Sequence, residues 1–173
     1  MTERADQLAG FEDSRRQFVE AIDGVPPEAL TYLAPGDDYA LGGLVTHVNA
    51  ILRRYALVLD AIVAEPAAVL DAAPFEQEAE EENVRSTDGL MPADRAAAMA
   101  TLAERHQHVA GTLATIGPLE WDRKSPVRFG GAVEPYPTGA GEIADWLTGH
   151  YLEHVPHVAE LLRGWSAATA TTR

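Results

Sequence analysis

Four stretches of the chain carry apolar residues at three- and four-residue spacing, and each is broken by glycine or proline. That periodicity constrains the fold most, because it calls for amphipathic helices that bury one face. The first stretch holds Leu8, Phe11, Phe18, Val19 and Ile22 and stops before Gly24 and the Pro26-Pro27 pair. The second follows APGDDYALGG, where Asp37 or Asp38 is suited to cap a helix. It carries Leu41, Leu44, Val48, Ile51, Leu52, Tyr55, Leu59 and Ile62 and ends near Pro66. The third starts near Pro92, a residue tolerated in a first helical turn, and carries Met99, Leu102, Val109, Leu113 and Ile116 up to Gly117-Pro118. The fourth carries Ile143, Leu147, Val158, Leu161 and Trp165.

Four such helices read as an all-α four-helix bundle with long inter-helix connections, about residues 65–91 and 117–140. The 173 residues fit one domain, residues 1–173, with the tail 166–173 expected to fray. The piece VRFGGAVEPY suits a small hairpin around Gly130-Gly131.

The chemistry is concentrated in GHYLEHVPHVAELLRGW, residues 149–165, where three histidines enter the apolar side of a helix. At about 100° per residue, His150 and His154 fall within about 20° of the middle of the stripe, and His157 within about 40°. A buried imidazole without partners is unfavourable by on the order of 1–3 kcal/mol. A metal ion removes that difficulty, because it takes a neutral imidazole nitrogen as ligand. His150 and His154 lie one turn apart, about 6 Å along the axis, and can converge on one ion. His157 lies roughly 10.5 Å along the axis from His150 and reads as a supporting residue or a hydrogen-bonded core histidine. A third ligand must come from another helix. His47 and His106 both point inward and compete for that role, while His108 points outward.

Other features bound the function. The chain has no cysteine, which excludes disulfides, thiolate metal sites and a cysteine nucleophile. Its formal net charge is −14, with EQEAEEEN (76–83) as the densest acidic run, read here as a solvated loop. Such a surface does not suit nucleic acid or an anionic membrane. The charged N-terminus has no apolar signal core, and no apolar run is long enough to span a bilayer, so the expectation is a cytoplasmic protein acting on a small molecule. A homodimer is compatible with an amphipathic bundle. Glu153, about 80° off the stripe, reads as a supporting base or a surface charge. Arg53 and Arg54 are candidates to hold a substrate carboxylate or to lie solvated on a helix flank. HYLEH also fits H-x-x-E-H, the motif of inverzincin peptidases, with Glu153 as base and Glu160 as the only downstream acidic ligand.

PGDDYALGGLVTHV, followed far downstream by GHYLEHVPHVAEL, resembles the DinB/YfiT-like family of bacterial four-helix proteins. The resemblance implies that His47, His150 and His154 are the three ligands of a divalent ion, often zinc or nickel, with open positions for water or substrate. His157-Val158 matches the trailing pair of the motif. Some relatives are thiol-dependent transferases or isomerases that use bacillithiol or mycothiol, which implies a low-molecular-weight thiol as cosubstrate. A non-catalytic metal- or small-molecule-binding bundle and a metal-dependent hydrolase are the alternatives. Two positions depart from the pattern: Tyr39 stands where relatives usually carry Trp, and Pro156 lies inside the last helix. Pro156 leaves the carbonyl of Leu152 without its N–H and is expected to kink the helix just beyond His154.

Overall fold

A computed structural model of the chain describes residues 2–171. The four periodic stretches form the long helices α1 (Thr2–Asp23), α2 (Gly43–Ala64), α4 (Arg95–Thr115) and α6 (Ala140–Thr171). The long connections add α3 (Ala73–Asn83), the one-turn α5 (Pro118–Trp121) and the strands β1 (Leu70–Asp71), β2 (Ser125–Arg128) and β3 (Tyr136–Thr138). The class is all-α, as the periodicity requires. α1 lies along α6, and α2 packs on α4, α3 and α6. Phe11, Phe18, Leu44, Leu52, Leu59, Leu102, Leu113, Ile143 and Tyr151 are fully buried between them. Each large apolar side chain so buried contributes about 1.5–3 kcal/mol. Among the described residues, no helix is long and apolar enough to cross a membrane.

The helix ends differ from the sequence reading in two places. Neither Asp37 nor Asp38 caps α2, whose cap position is Gly42 with no side-chain bond. Asp37 instead accepts the Tyr39 N–H at 3.1 Å. The chain then runs on to deliver the N–H groups of Ala40 and Gly42 to the carbonyls of Ser86 and Leu30, at 3.0 and 2.8 Å. Pro92–Asp94 form a 3₁₀ turn, and the α-helix proper begins at Arg95. α6 passes through Pro156 and is helical to Thr171; residues 172–173 of the tail lie outside the described residues. Its end is reinforced where Ser166 and Thr169 hydroxyls donate to the carbonyls of Leu162 and Trp165, at 2.9 and 3.0 Å.

The acidic run 76–83 is not a solvated loop but most of α3. Its carboxylates meet arginines of the neighbouring helices. Glu76 pairs with Arg54, Glu78 with Arg53 at 2.6 Å, and Glu82 with Arg105 at 2.8 Å. Only Ala79 of α3 is fully buried, so the helix is fastened by charge more than by an apolar face. Arg53 and Arg54 are thereby occupied by protein carboxylates.

The expected hairpin forms. β2 and β3 pair antiparallel with Val127 opposite Tyr136, and Gly130 and Gly131 turn the chain at φ 59° and 71°. β1 was not anticipated. It pairs parallel to β2, Leu70 beside Val127, and so stitches the first long connection to the second.

Candidate metal centre

α2 projects His47 toward α6, and α6 returns His150 and His154 from one face, because four residues make about one helical turn. The ring centroids lie 4.8 Å (His47–His150), 5.0 Å (His47–His154) and 4.6 Å (His150–His154) apart. One nitrogen from each ring lies within 4.8 Å of the other two, and among the described residues no carboxylate or further histidine joins the group. Ligand nitrogens on a tetrahedral zinc sit about 3.3 Å apart, so the rings would have to close inward to hold such an ion.

The electrostatics suit a cation ligand. His47 and His154 are buried and His150 is partly so. Burial, reinforced by His47, pushes the His150 pKa down to about 4. Burial and the neighbouring histidines push His154 down to about 3. Burial also lowers His47, against a hydrogen bond to Asn83 Oδ1 that acts the other way. All three rings are therefore neutral at pH 7, the form that binds metal. His150 Nε2 and both nitrogens of His154 are buried without a hydrogen-bond partner. Orphaned polar atoms of this kind, converging from two helices, are what a bound ion would satisfy.

The model of the DinB superfamily matches residues 10–158. The chain belongs to the DinB superfamily. No curated protein and no solved structure matches it significantly. The match covers all three histidines.

In this DinB protein the tautomer of His47 is set by a residue that the sequence reading missed. His47 Nδ1 lies 2.7 Å from Asn83 Oδ1, an oxygen that can only accept. Nδ1 therefore carries the proton, and Nε2 is left with its lone pair free. Asn83 is the last residue of α3. The three Glu–Arg pairs that dock α3 thus also hold the acceptor that orients the His47 ring. Loss of such an outer partner typically weakens metal binding by about 10–100-fold. Asn83→Ala is expected to weaken metal binding by that order, read by competition with a chromogenic chelator. Unchanged affinity would mean that packing alone holds the ring.

The remaining residues separate. His157 donates from Nε2 to Asp37 Oδ2 at 2.9 Å, so it is a hydrogen-bonded neighbour whose ring lies 5.7 Å from that of His154. Tyr39 lies over His47, centroids 4.3 Å apart, and presents an edge to His154. His106 is inward, as its spacing requires, but points elsewhere. It stacks on Phe11 at 4.1 Å, with Nδ1 3.3 Å from the Tyr151 hydroxyl and Nε2 3.1 Å from Glu12. Of the two competing histidines, the fold thus brings His47 and not His106 to the pair. His108 is exposed and bonds Asp60 at 2.8 Å. Glu153 and Glu160 are both exposed and outside the three-histidine group, which leaves the inverzincin ligand set incomplete.

Proposed function

We propose that this DinB protein is a metal-dependent enzyme of the thiol-transferase or isomerase type, with a low-molecular-weight thiol and a small electrophile as substrates. The observation that carries the reading is the convergence of three neutral imidazoles with, among the described residues, no fourth protein ligand. A structural zinc is usually closed by four protein ligands, whereas three protein ligands leave a position for substrate. A divalent ion held there, zinc or nickel, would lower the pKa of a coordinated thiol or water and polarise a carbonyl.

The chain's own residues prepare that chemistry. The imidazoles carry no charge at pH 7, so they leave the charge of the ion uncompensated. Tyr39 covers His47 and shields that side from water. Of the three residues His150 alone is partly exposed overall, although its Nε2 is buried. Asp37 accepts from His157 and so keeps the proton on Nε2 of that ring. In the transfer the thiol gives its proton to solvent, a sulfur–carbon bond forms, and the electrophile releases its leaving group.

Mycothiol or bacillithiol incubated with monochlorobimane provides the test, because the thioether product fluoresces and chloride is released. The zinc- or nickel-loaded protein is expected to consume both reactants faster than metal-free protein and faster than loaded His150→Ala. Equal rates in all three would reject thiol transfer to this acceptor.

A further inference from the structure

Beside the three histidines, α2, α6 and the hairpin bring a second set of rings together. Trp146 stands four residues before His150 on α6, so it lies on the same side of that helix, about 6 Å along the axis. Its ring centroid is 5.6 Å from that of Tyr55, 5.9 Å from that of Phe129 and 6.0 Å from that of Tyr136. Tyr55 and Phe129 are partly buried against the core and dock the hairpin. Tyr136 is different: it is 54% exposed, and Trp146 is only partly buried. Apolar surface gathered in one place marks a contact site, whereas scattered exposed residues do not.

The polar tips of these rings are open. Among the described residues neither the Trp146 Nε1–H nor the Tyr55 hydroxyl has a hydrogen-bond partner, and neither atom is enclosed. Burial raises the Tyr55 pKa, so its hydroxyl keeps its proton. Two donors that solvent reaches thus stand on one aromatic wall with no protein acceptor, and an oxygen acceptor would satisfy them. The Arg54 guanidinium decides the charge of the occupant. It lies 5.3 Å from the Tyr55 centroid and 5.4 Å from that of Phe129, and already supplies the cation that such faces attract. A second cation would be repelled there, whereas a neutral or anionic planar group would not.

We infer that the electrophile of the proposed thiol transfer is an aromatic compound with an oxygen-bearing substituent, its ring stacked against Trp146 and Tyr136 and its oxygen accepting from the Trp146 N–H. The assignment rests on the thiol-transfer reading for the reaction, while the aryl site itself needs neither thiol nor turnover. One helical turn separates the wall from His150, a length that an aryl group spans.

The test compares benzoate with cyclohexanecarboxylate, titrated into the full-length, isotope-labelled protein at constant ionic strength. Both carry the same carboxylate, so its contact with a guanidinium or an ion cancels, and only the flat ring differs. The Trp146 indole N–H signal, assigned by its absence in Trp146→Phe, is expected to shift saturably. Benzoate should bind about two- to tenfold more tightly, the worth of one aromatic pair. Tyr136→Leu, a change at an exposed residue, should erase most of that preference. Equal affinity for the two acids would overturn the inference, as would a preference undiminished in Tyr136→Leu or an indole signal that does not move. Neither acid reacts and no thiol is present, so the result stands whether or not the monochlorobimane test succeeds.

Discussion

Replacing His154 with leucine is expected to strip the protein of its divalent ion while leaving the metal-free fold at least as stable as before. His154 is 4% exposed, and neither ring nitrogen has a hydrogen-bond partner. Without an ion the ring is a buried polar group with nothing to bond, a state unfavourable by about 1–3 kcal/mol. Leucine of similar volume removes that burden and also removes the central donor of the three-histidine group. Elemental analysis of untagged protein should find about one ion per chain in the wild type and essentially none in His154→Leu or His150→Ala. Full metal content in both variants would remove the basis for a three-histidine centre.

The same substitution should alter the acid response. Burial holds the folded-state pKa of His154 near 3, far below its unfolded value of about 6.5. Below pH 6.5 the unfolded chain takes up this proton and the folded chain does not, so stability present above pH 6.5 drains away on acidification. The slope is about 1.4 kcal/mol per pH unit for this group. The melting temperature of metal-free wild type should therefore fall more steeply from pH 6.5 to pH 4 than that of metal-free His154→Leu. Parallel curves would show that His154 titrates normally and is not desolvated.

Gly43→Ala is expected to destabilise the protein by about 3 kcal/mol, the upper end of the usual penalty for overpacking. A Cβ at Gly43 would lie 1.6 Å from the Ser86 carbonyl oxygen and 2.6 Å from its carbonyl carbon. Both obstacles are backbone, so no rotamer change relieves them. The Ser86 carbonyl also accepts the Ala40 N–H at 3.0 Å, which fixes it from the other side. Relief requires the 84–87 turn to leave the first turn of α2. Asn83 would move with that turn, away from His47. For a chain of this size the change corresponds to about 6–12 °C in melting temperature. A loss of metal affinity should accompany it. An unshifted melting curve would mean that the start of α2 is not packed as described.

The main helices were legible because each buries a continuous stripe, and the stripe is written in the spacing of residues such as Leu44, Val48 and Ile51. The His150–His154 pair was legible for the same reason, as one helix fixes both. Spacing alone left His47 and His106 equal, because it says which residues face inward but not which helix lies opposite. The family pattern favoured His47, and the packing of α2 on α6 brings that ring to the pair. α3 was hidden because it has almost no apolar stripe. Its partners, Arg53, Arg54 and Arg105, lie far away in sequence, and only the fold brings them to Glu78, Glu76 and Glu82. Asn83 was hidden with it. The available signal was indirect: a ligand histidine needs an acceptor on its second nitrogen, so a buried acceptor outside the motif had to exist somewhere.

The small sheet makes the hairpin part of the histidine centre's linkage. Ala72 donates to the Arg128 carbonyl at 3.0 Å, and Gly130 donates to Glu76 at 2.7 Å. α3 is thus tethered at its start to β2 and ends on the residue that holds His47. Strain applied at the exposed hairpin tip therefore has a short mechanical route along α3, one rigid rod, to the orientation of a single imidazole. Length changes at that tip, remote from His47 in sequence, are thereby expected to alter how that ring is held.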